Sequence, residues 1–259
     1  MMGRQEALLE IRGITKTFGG LTAVNNVSFS VPGGGHIKAV IGPNGAGKST
    51  VLNIISGVLK PTSGEILVNG RDITSLETHK VAQLGVARTF QNVNLFPNMN
   101  VLENVMVGCH IGSKCGMLRA AVRTPLQRCE ERRVIERAFE NLQIVGLSDN
   151  AAENATSLPF GKQRLLEIAR GLASNPSLLL LDEPASGLSA KEVNALAEVL
   201  FKIIQQGITI LLVDHDMQFV MDISDEIVVL DRGVKISEGA PAQVQNDPHV
   251  IAAYLGEEE

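Results

Sequence analysis

The sequence predicts an α/β fold: a parallel sheet covered by helices on both faces, with an N-terminal antiparallel β sub-domain and an inserted α-helical sub-domain. Three observations carry this. The segments SLLLLDE, GITILLVDH and DEIVVLD are apolar on both faces and are separated by helical patterns, as in a parallel sheet buried on both sides. The first third instead holds LLEIRGITKTF and VNNVSFSVP, which alternate enough for a half-buried antiparallel sheet. Between about residues 98 and 157 the pattern turns helical with charged faces, in MNVLENVMVG and PLQRCEERRVIERAFENLQIVGL.

Taken in order, two N-terminal strands lead to HIKAVIGPNGAGKSTVLNIISG, which reads as strand, glycine-rich turn and helix. GEILVNGRDI adds a short strand and a turn before the helical stretch. From Leu158 the alternation resumes as helix, SLLLLDE, helix, GITILLVDH, helix, DEIVVLD and a hairpin strand VKISEG. One domain over 6–243 is expected, with 1–97 and 158–240 as core plus β sub-domain and 98–157 as the helical sub-domain. Residues 241–259 form a C-terminal helical tail. In SLPFGKQRLLEIAR, Leu165, Ile168, Ala169 and Leu172 make an amphipathic stripe. Its start is unusual, because Pro, Phe, Gly and Lys stand where a small polar cap is common. Ser189 and Glu192 form a capping box for the helix running to Gly207.

Composition narrows the function. With 259 residues and 44% hydrophobic content the chain can bury a sizeable core. Aromatics make up 3%, with no Trp and a single Tyr, Tyr254, which argues against stacking on nucleic acid. The net charge of −5 argues against a nucleic-acid or anionic-membrane surface. Cys109, Cys115 and Cys129 have neither zinc spacing nor an even count, and no secretory segment precedes them, so reduced thiols in a cytosolic protein are expected. Apolar runs fall far short of the roughly 20 residues that span a bilayer. Any membrane role is therefore expected to be peripheral.

GPNGAGKST matches G-x-x-x-x-G-K-[ST] from Gly42 to Ser49, between a strand and a helix. The glycines, with Pro43, Asn44 and Ala46, let the loop's backbone N–H groups turn in around a β-phosphate, the helix N-terminus adds its dipole, and Thr50 is counted with the nucleotide-binding residues. Lys48 reaches β/γ oxygens and the Ser49 hydroxyl ligates Mg²⁺. Asp182 ends a strand apolar enough to be central, which puts its carboxylate at the C-terminal edge of the sheet as a Mg²⁺ anchor. Glu183 follows and is suited to accept a proton from the attacking water.

These residues resemble the ATPase subunits of ABC transporters over nearly the whole chain, implying a P-loop NTPase (RecA-like) core. By that resemblance Phe18 in TKTFGG stacks on adenine, and Gln91 in RTFQN contacts Mg²⁺ and water. His215 in LLVDHDM is the switch histidine at the γ-phosphate, and ATP with Mg²⁺ is the implied ligand. FGGLTAVNNVSFSV, GVARTFQNVNLFPNMNVLENVMVG, RLLEIARGLASNP, the tail AAYLGE and the insertion between 108 and 137 are similar to one branch, the ATPase subunit of branched-chain amino acid (leucine/isoleucine/valine) importers. The resemblance implies two membrane permease subunits, a second ATPase subunit (related or identical) and an extracytoplasmic binding protein as partners. It places the chain at the cytoplasmic face of the inner (plasma) membrane. The permeases would be driven through a groove near Gln91 and residues 92–106.

In the family two ATPs are sandwiched head to tail, each facing the partner's signature segment, here Leu158-Pro159-Phe160-Gly161-Lys162. Pro159 replaces a serine and brings neither hydroxyl nor N–H. Lys162 adds a positive charge there. Ser189 stands where the family usually has Asp. Three readings stay open beside the importer: an ABC ATPase for another cargo (urea/amide import or lipopolysaccharide export), a soluble ABC ATPase acting on ribosomes or DNA, and a hydrolysis-poor subunit suggested by Pro159 and Ser189. A neighbouring permease sequence separates the first. A single cradle, a short insert and an acidic balance weigh against the second.

Overall fold

A computed structural model describes residues 7–89, 94–109 and 125–255. Contacts divide the chain into two compact units, 1–88 with 177–259, and 89–176. Gln91 and Cys115 lie outside the described residues.

In the first unit β1 (Ala7–Phe18) and β2 (Leu21–Pro32) pair antiparallel, and β4 (Ser63–Val68) and β5 (Arg71–Asp72) complete a four-stranded sheet in the order β2-β1-β4-β5. This is the expected antiparallel sub-domain. Strict alternation breaks where the register shifts between Ile11 and Ile14, around Gly13 at φ 57°, as at a β-bulge. GEILVNGRDI is a hairpin whose turn holds Asn69 and Gly70 at positive φ.

The second sheet holds six strands in the order β10-β9-β3-β8-β7-β6. Its members are β3 (Ile37–Ile41), β6 (Val86–Arg88), β7 (Leu178–Asp182), β8 (Thr209–Val213), β9 (Glu226–Asp231) and β10 (Val234–Gly239). All neighbours pair parallel except β10 with β9. Every residue of β3, β7 and β8 is buried, which is why β7 and β8 read as apolar runs, while β3 buries Lys38 among its apolar residues. The edge strand β6 and the short helix α2 (Thr78–Gln83) were not anticipated, since three and six residues carry too little periodicity.

Helix α1 (Lys48–Ile55) follows β3, and its Val51, Leu52, Ile54 and Ile55 belong to one apolar cluster with residues of both sheets. Later in this unit come α6 (Ala190–Gln205), α7 (Met217–Ile223), α8 (Pro241–Gln245) and α9 (Pro248–Leu255). The capping box at α6 is present: Glu192 accepts from the Ser189 N–H at 2.9 Å and from its hydroxyl at 2.6 Å. Lys38 sits on β3 with 1% exposure. Its ammonium donates to Glu226 at 2.7 Å, Glu238 at 2.5 Å and the Ser30 carbonyl at 2.7 Å, joining β3, β9, β10 and β2.

The helical unit contains α3 (Val101–Cys109), α4 (Pro125–Ile144) and α5 (Phe160–Leu172), which pack on one another, with Val105, Ala138, Leu142 and Leu166 buried. A Cβ on Gly108 would stand 2.1 Å from the Arg170 carbonyl oxygen, so only glycine permits this approach of α3 to α5. Asn100 and Glu103 bond reciprocally through side chain and backbone at 2.9 and 2.8 Å, a capping box at the start of α3. On α5 the buried stripe differs from the expected one. Leu165 is half-buried, while Arg164 and Glu167 are buried with Leu166, Ile168, Ala169 and Leu172. Arg164 and Glu167 are an ion pair at 3.5 Å, which lets charged residues occupy a core face.

Candidate functional site

Strand order builds the site. β3, β8, β7 and β6 lie side by side and parallel, with Val40 level with Val213, Asp182 level with Val213, and Arg88 level with Leu180. The segments leaving their C-terminal ends are therefore neighbours: Gly42–Ser49 after β3, Asp214–His215 after β8, Asp182–Glu183 at β7. Such an edge is where open α/β sheets bind ligands.

The loop after β3 turns on Gly42, Gly45 and Gly47, all at positive φ. A Cβ on Gly42 would stand 2.0 Å from the Leu230 carbonyl oxygen and one on Gly47 2.5 Å from that of Ala23. Lys48 is buried, and its ammonium donates to the carbonyls of Gly42 at 2.7 Å and Pro43 at 2.8 Å. This curls the loop around the amine. Asn44, Gly45 and Ser49 are exposed; Pro43 and Ala46 are buried and Thr50 half-buried. Gly233, in the β9–β10 turn, donates to the Ala46 carbonyl at 3.1 Å, and its own carbonyl accepts from Asn25 at 2.7 Å. That support was missed in the sequence because its partners are far away along the chain. A cleft of about 390 Å³ lies against Pro43, Asn44 and Gly45, its other wall formed by the β9–β10 turn and α9.

The two acids diverge. Asp182 is buried and its Oδ2 accepts from Arg88 Nη2 at 2.8 Å, on the β6 side. Glu183 turns away because its backbone is left-handed, φ 48°, with its N–H donating to the Val213 carbonyl at 2.7 Å. That conformation costs a non-glycine residue roughly 1–2 kcal/mol, and such strain clusters at functional sites. The carboxylate of Glu183 lies 3.9 Å from His215 Nδ1, on the β8 side. His215 is well exposed, as a residue meeting a ligand must be.

Asp214, not singled out from sequence, organises this edge. Oδ1 accepts from the His215 and Asp216 N–H groups at 2.7 and 3.0 Å, and Oδ2 from the Ala185 N–H at 3.0 Å. Burial pushes its carboxyl above the usual carboxylate range, against the pull of those three N–H donors. Phe18 ends β1 with 45% exposure, Lys16 Nζ lying 5.1 Å from its ring centroid. An aromatic face left this open is available for stacking.

The oxygen donors fit a hard divalent cation: one carboxylate, Asp182, and one exposed hydroxyl, Ser49, leave room for phosphate oxygens and water. Among the described residues no group of three or more His, Cys, Asp or Glu could hold a metal by itself, so a resident protein-only metal cage is not among them.

In the helical unit Pro159 is the N-cap of α5, at φ −54° and ψ 151°, with no side-chain cap hydrogen bond. Gln163 instead donates to the carbonyls of Leu158 at 2.8 Å and Thr156 at 3.3 Å, which ties the helix start to the turn before it without capping a helix N–H. Phe160 is exposed with the Arg164 guanidinium 5.6 Å from its ring centroid, and Gly161 is buried. Lys162 donates to Asn150 Oδ1 at 3.0 Å.

Residues 24–186 match the family model of the ABC transporter, and residues 234–259 match that of the branched-chain amino acid ATP-binding cassette transporter. The chain is 44% identical over 251 residues to the high-affinity branched-chain amino acid transport ATP-binding protein BraF of Pseudomonas aeruginosa, covering 96% of this chain and 98% of that one. It is 43% identical to the LivG protein of the same description from Escherichia coli, over 97% and 99%. Among solved structures, a nucleotide-free ATP-binding cassette from an ABC transporter aligns with TM-score 0.84 at 31% identity, covering 96% of this chain and 98% of that chain. A dimeric bacterial ABC transporter cassette aligns with TM-score 0.75 at 28% identity, over 90% and 98%. Among the described residues no helix is long and apolar enough to cross a membrane.

Proposed function

The chain belongs to the ABC transporter ATP-binding family, and on that premise we propose that it is the ATP-hydrolysing subunit of a membrane importer for branched-chain amino acids. The cargo follows the two relatives and the C-terminal model over 234–259. The observation that carries the mechanism is the row of strand ends that sets the Gly42–Ser49 loop, His215 and the Asp182–Glu183 pair side by side.

Phe18 stacks on the adenine, and the N–H groups of Gly42–Gly47 and the Lys48 ammonium hold the phosphates. Ser49 and Asp182, with Gln91, would hold Mg²⁺. When bound, that ion would supply positive charge to the phosphates. Glu183 accepts the proton of the water that attacks the γ-phosphorus, and the bond to the ADP oxygen breaks as phosphate forms. His215, beside Glu183, contacts the γ-phosphate and keeps base and nucleophile in register. The exposure of Pro159, Phe160 and Lys162 at the start of α5 supports use of this segment against the ATP of a second ATPase subunit, homo- or heteromeric, where the helix dipole and the Gly161 backbone replace the absent serine hydroxyl. Two permease subunits and an extracytoplasmic binding protein complete the assembly, with this chain peripheral at the cytoplasmic face of the plasma membrane.

The test is co-expression with candidate permease subunits, purification of the complex, and ATPase assays in vesicles. Stimulation by loaded branched-chain binding protein is expected. Stimulation by a urea-loaded protein instead would reassign the cargo.

A further inference from the structure

Arg88 has no role in the scheme above, yet its surroundings are those of a working part of the site. It ends β6, next to β7, and its side chain is almost wholly enclosed, at 9% exposure. Nη2 donates to Asp182 Oδ2 at 2.8 Å, while Nη1 donates to Asn53 Oδ1 at 2.7 Å and Ser56 Oγ at 2.9 Å. Asn53 and Ser56 belong to α1 and its C-cap, the helix that begins at Lys48 and carries Ser49. One guanidinium therefore ties the strand bearing Asp182 to the helix bearing the other oxygen donor.

Two physical facts give this arrangement a function. A carboxylate as enclosed as Asp182, at 8% exposure, has lost most of its water and needs a hydrogen-bond donor in its place. A guanidinium presents donors in a rigid planar fork, so it fixes which oxygen it takes and how the carboxylate is turned; an ammonium would not. Oδ2 is taken, and among the described residues no hydrogen bond takes Oδ1.

We infer that Arg88 is a positioning residue for the Mg²⁺ that accompanies ATP: it holds Oδ2 of Asp182 so that Oδ1 is presented to the metal, and it sets that carboxylate against the helix carrying Ser49. The inference rests on the assignment of Asp182 as a metal anchor. A purely structural ion pair would change stability and nothing specific to Mg²⁺.

Isothermal titration of the full chain with ADP, in excess Mg²⁺ and in EDTA, separates these. The variants are Arg88→Met, Arg88→Gln, Arg88→Lys, Asp182→Asn and the double variant Asp182→Asn with Arg88→Met, each checked by thermal melting. Arg88→Met is expected to bind ADP in EDTA as the wild type does and to lose at least roughly tenfold of the affinity gained with Mg²⁺, as outer-shell changes at metal sites do. Arg88→Lys recovers only part, and the double variant is no worse than Asp182→Asn. Where Arg88→Met does not melt cooperatively, Arg88→Gln carries the test. A wild-type Mg²⁺ gain, an equal loss in Mg²⁺ and EDTA, or additive losses in the double variant overturns the inference. If Asp182→Asn itself keeps the Mg²⁺ gain, the assignment of Asp182 has failed and the inference falls with it. If only Arg88→Met keeps it, the inference alone has failed.

Discussion

His215 Nδ1 lies 3.9 Å from Glu183 Oε2 and 3.8 Å from Asp214 Oδ1. The imidazole thus stands by a carboxylate of its own strand end and one from the neighbouring strand β7. Glu183 reaches it because of its left-handed backbone, and Asp214 anchors both loops through three N–H groups.

Glu183→Gln keeps the shape and removes the base. ATP binding is expected to persist while turnover falls by about 100-fold or more, within the range for general-base loss. Single-turnover hydrolysis with radiolabelled ATP reads this, and an undiminished rate would remove Glu183 as the catalytic carboxylate.

Lys48→Ala deletes the ammonium at the centre of the loop. Hydrogen bonds to charged groups contribute about 1.5–3 kcal/mol, so nucleotide affinity is expected to fall roughly ten- to 150-fold. Calorimetric titration measures it; unchanged affinity would refute the phosphate cradle.

Two glycines of the loop separate strain from steric conflict. Gly45, at φ 77°, has nothing within 4 Å of an added Cβ, whereas Gly47, at φ 98°, meets the Ala23 carbonyl oxygen at 2.5 Å. Gly45→Ala is expected to lose about 1–2 kcal/mol and Gly47→Ala clearly more, since backbone must move. Urea melts decide, and equal losses would contradict the packing of β2 against the loop.

The Lys38 cluster predicts an acid response. Burial pushes the Glu238 carboxyl up, but hydrogen bonds from Lys235 and Lys38 outweigh it, so its pKa is lowered. A carboxylate with a folded pKa below its unfolded one contributes stability that is complete above the ordinary glutamate range and lost as pH falls through the folded value. Lys38→Met weakens that dependence, since Lys235 still donates to Glu238 at 2.6 Å, and it leaves Glu226 without this cation, an expected loss of about 1–3 kcal/mol. Melting curves of both proteins from neutral to acid pH check the slope; parallel curves would show that the cluster does not couple to folding.

The loop, the acidic pair and the capping box at Ser189 were legible because each is set by residues a few positions apart, where chain geometry dictates what can meet; His215 was singled out only through the family resemblance. The same holds for β7 and β8, whose burial on both faces appears directly as apolar runs. Arg88 was not legible as part of the site, since it meets Asp182 across 94 positions of chain and lies on a strand too short to show a period. Lys38 reads as an ordinary charge until Glu226 and Glu238, 188 and 200 positions away, close on it. Asp214 and Gly233 likewise act through backbone groups of other loops. The sequence by itself determined which chemistry the chain carries, because motif spacing is local. Only the tertiary structure decided which charges neutralise one another, because strand order and register bring distant residues within hydrogen-bonding reach, and burial there makes each pairing obligatory.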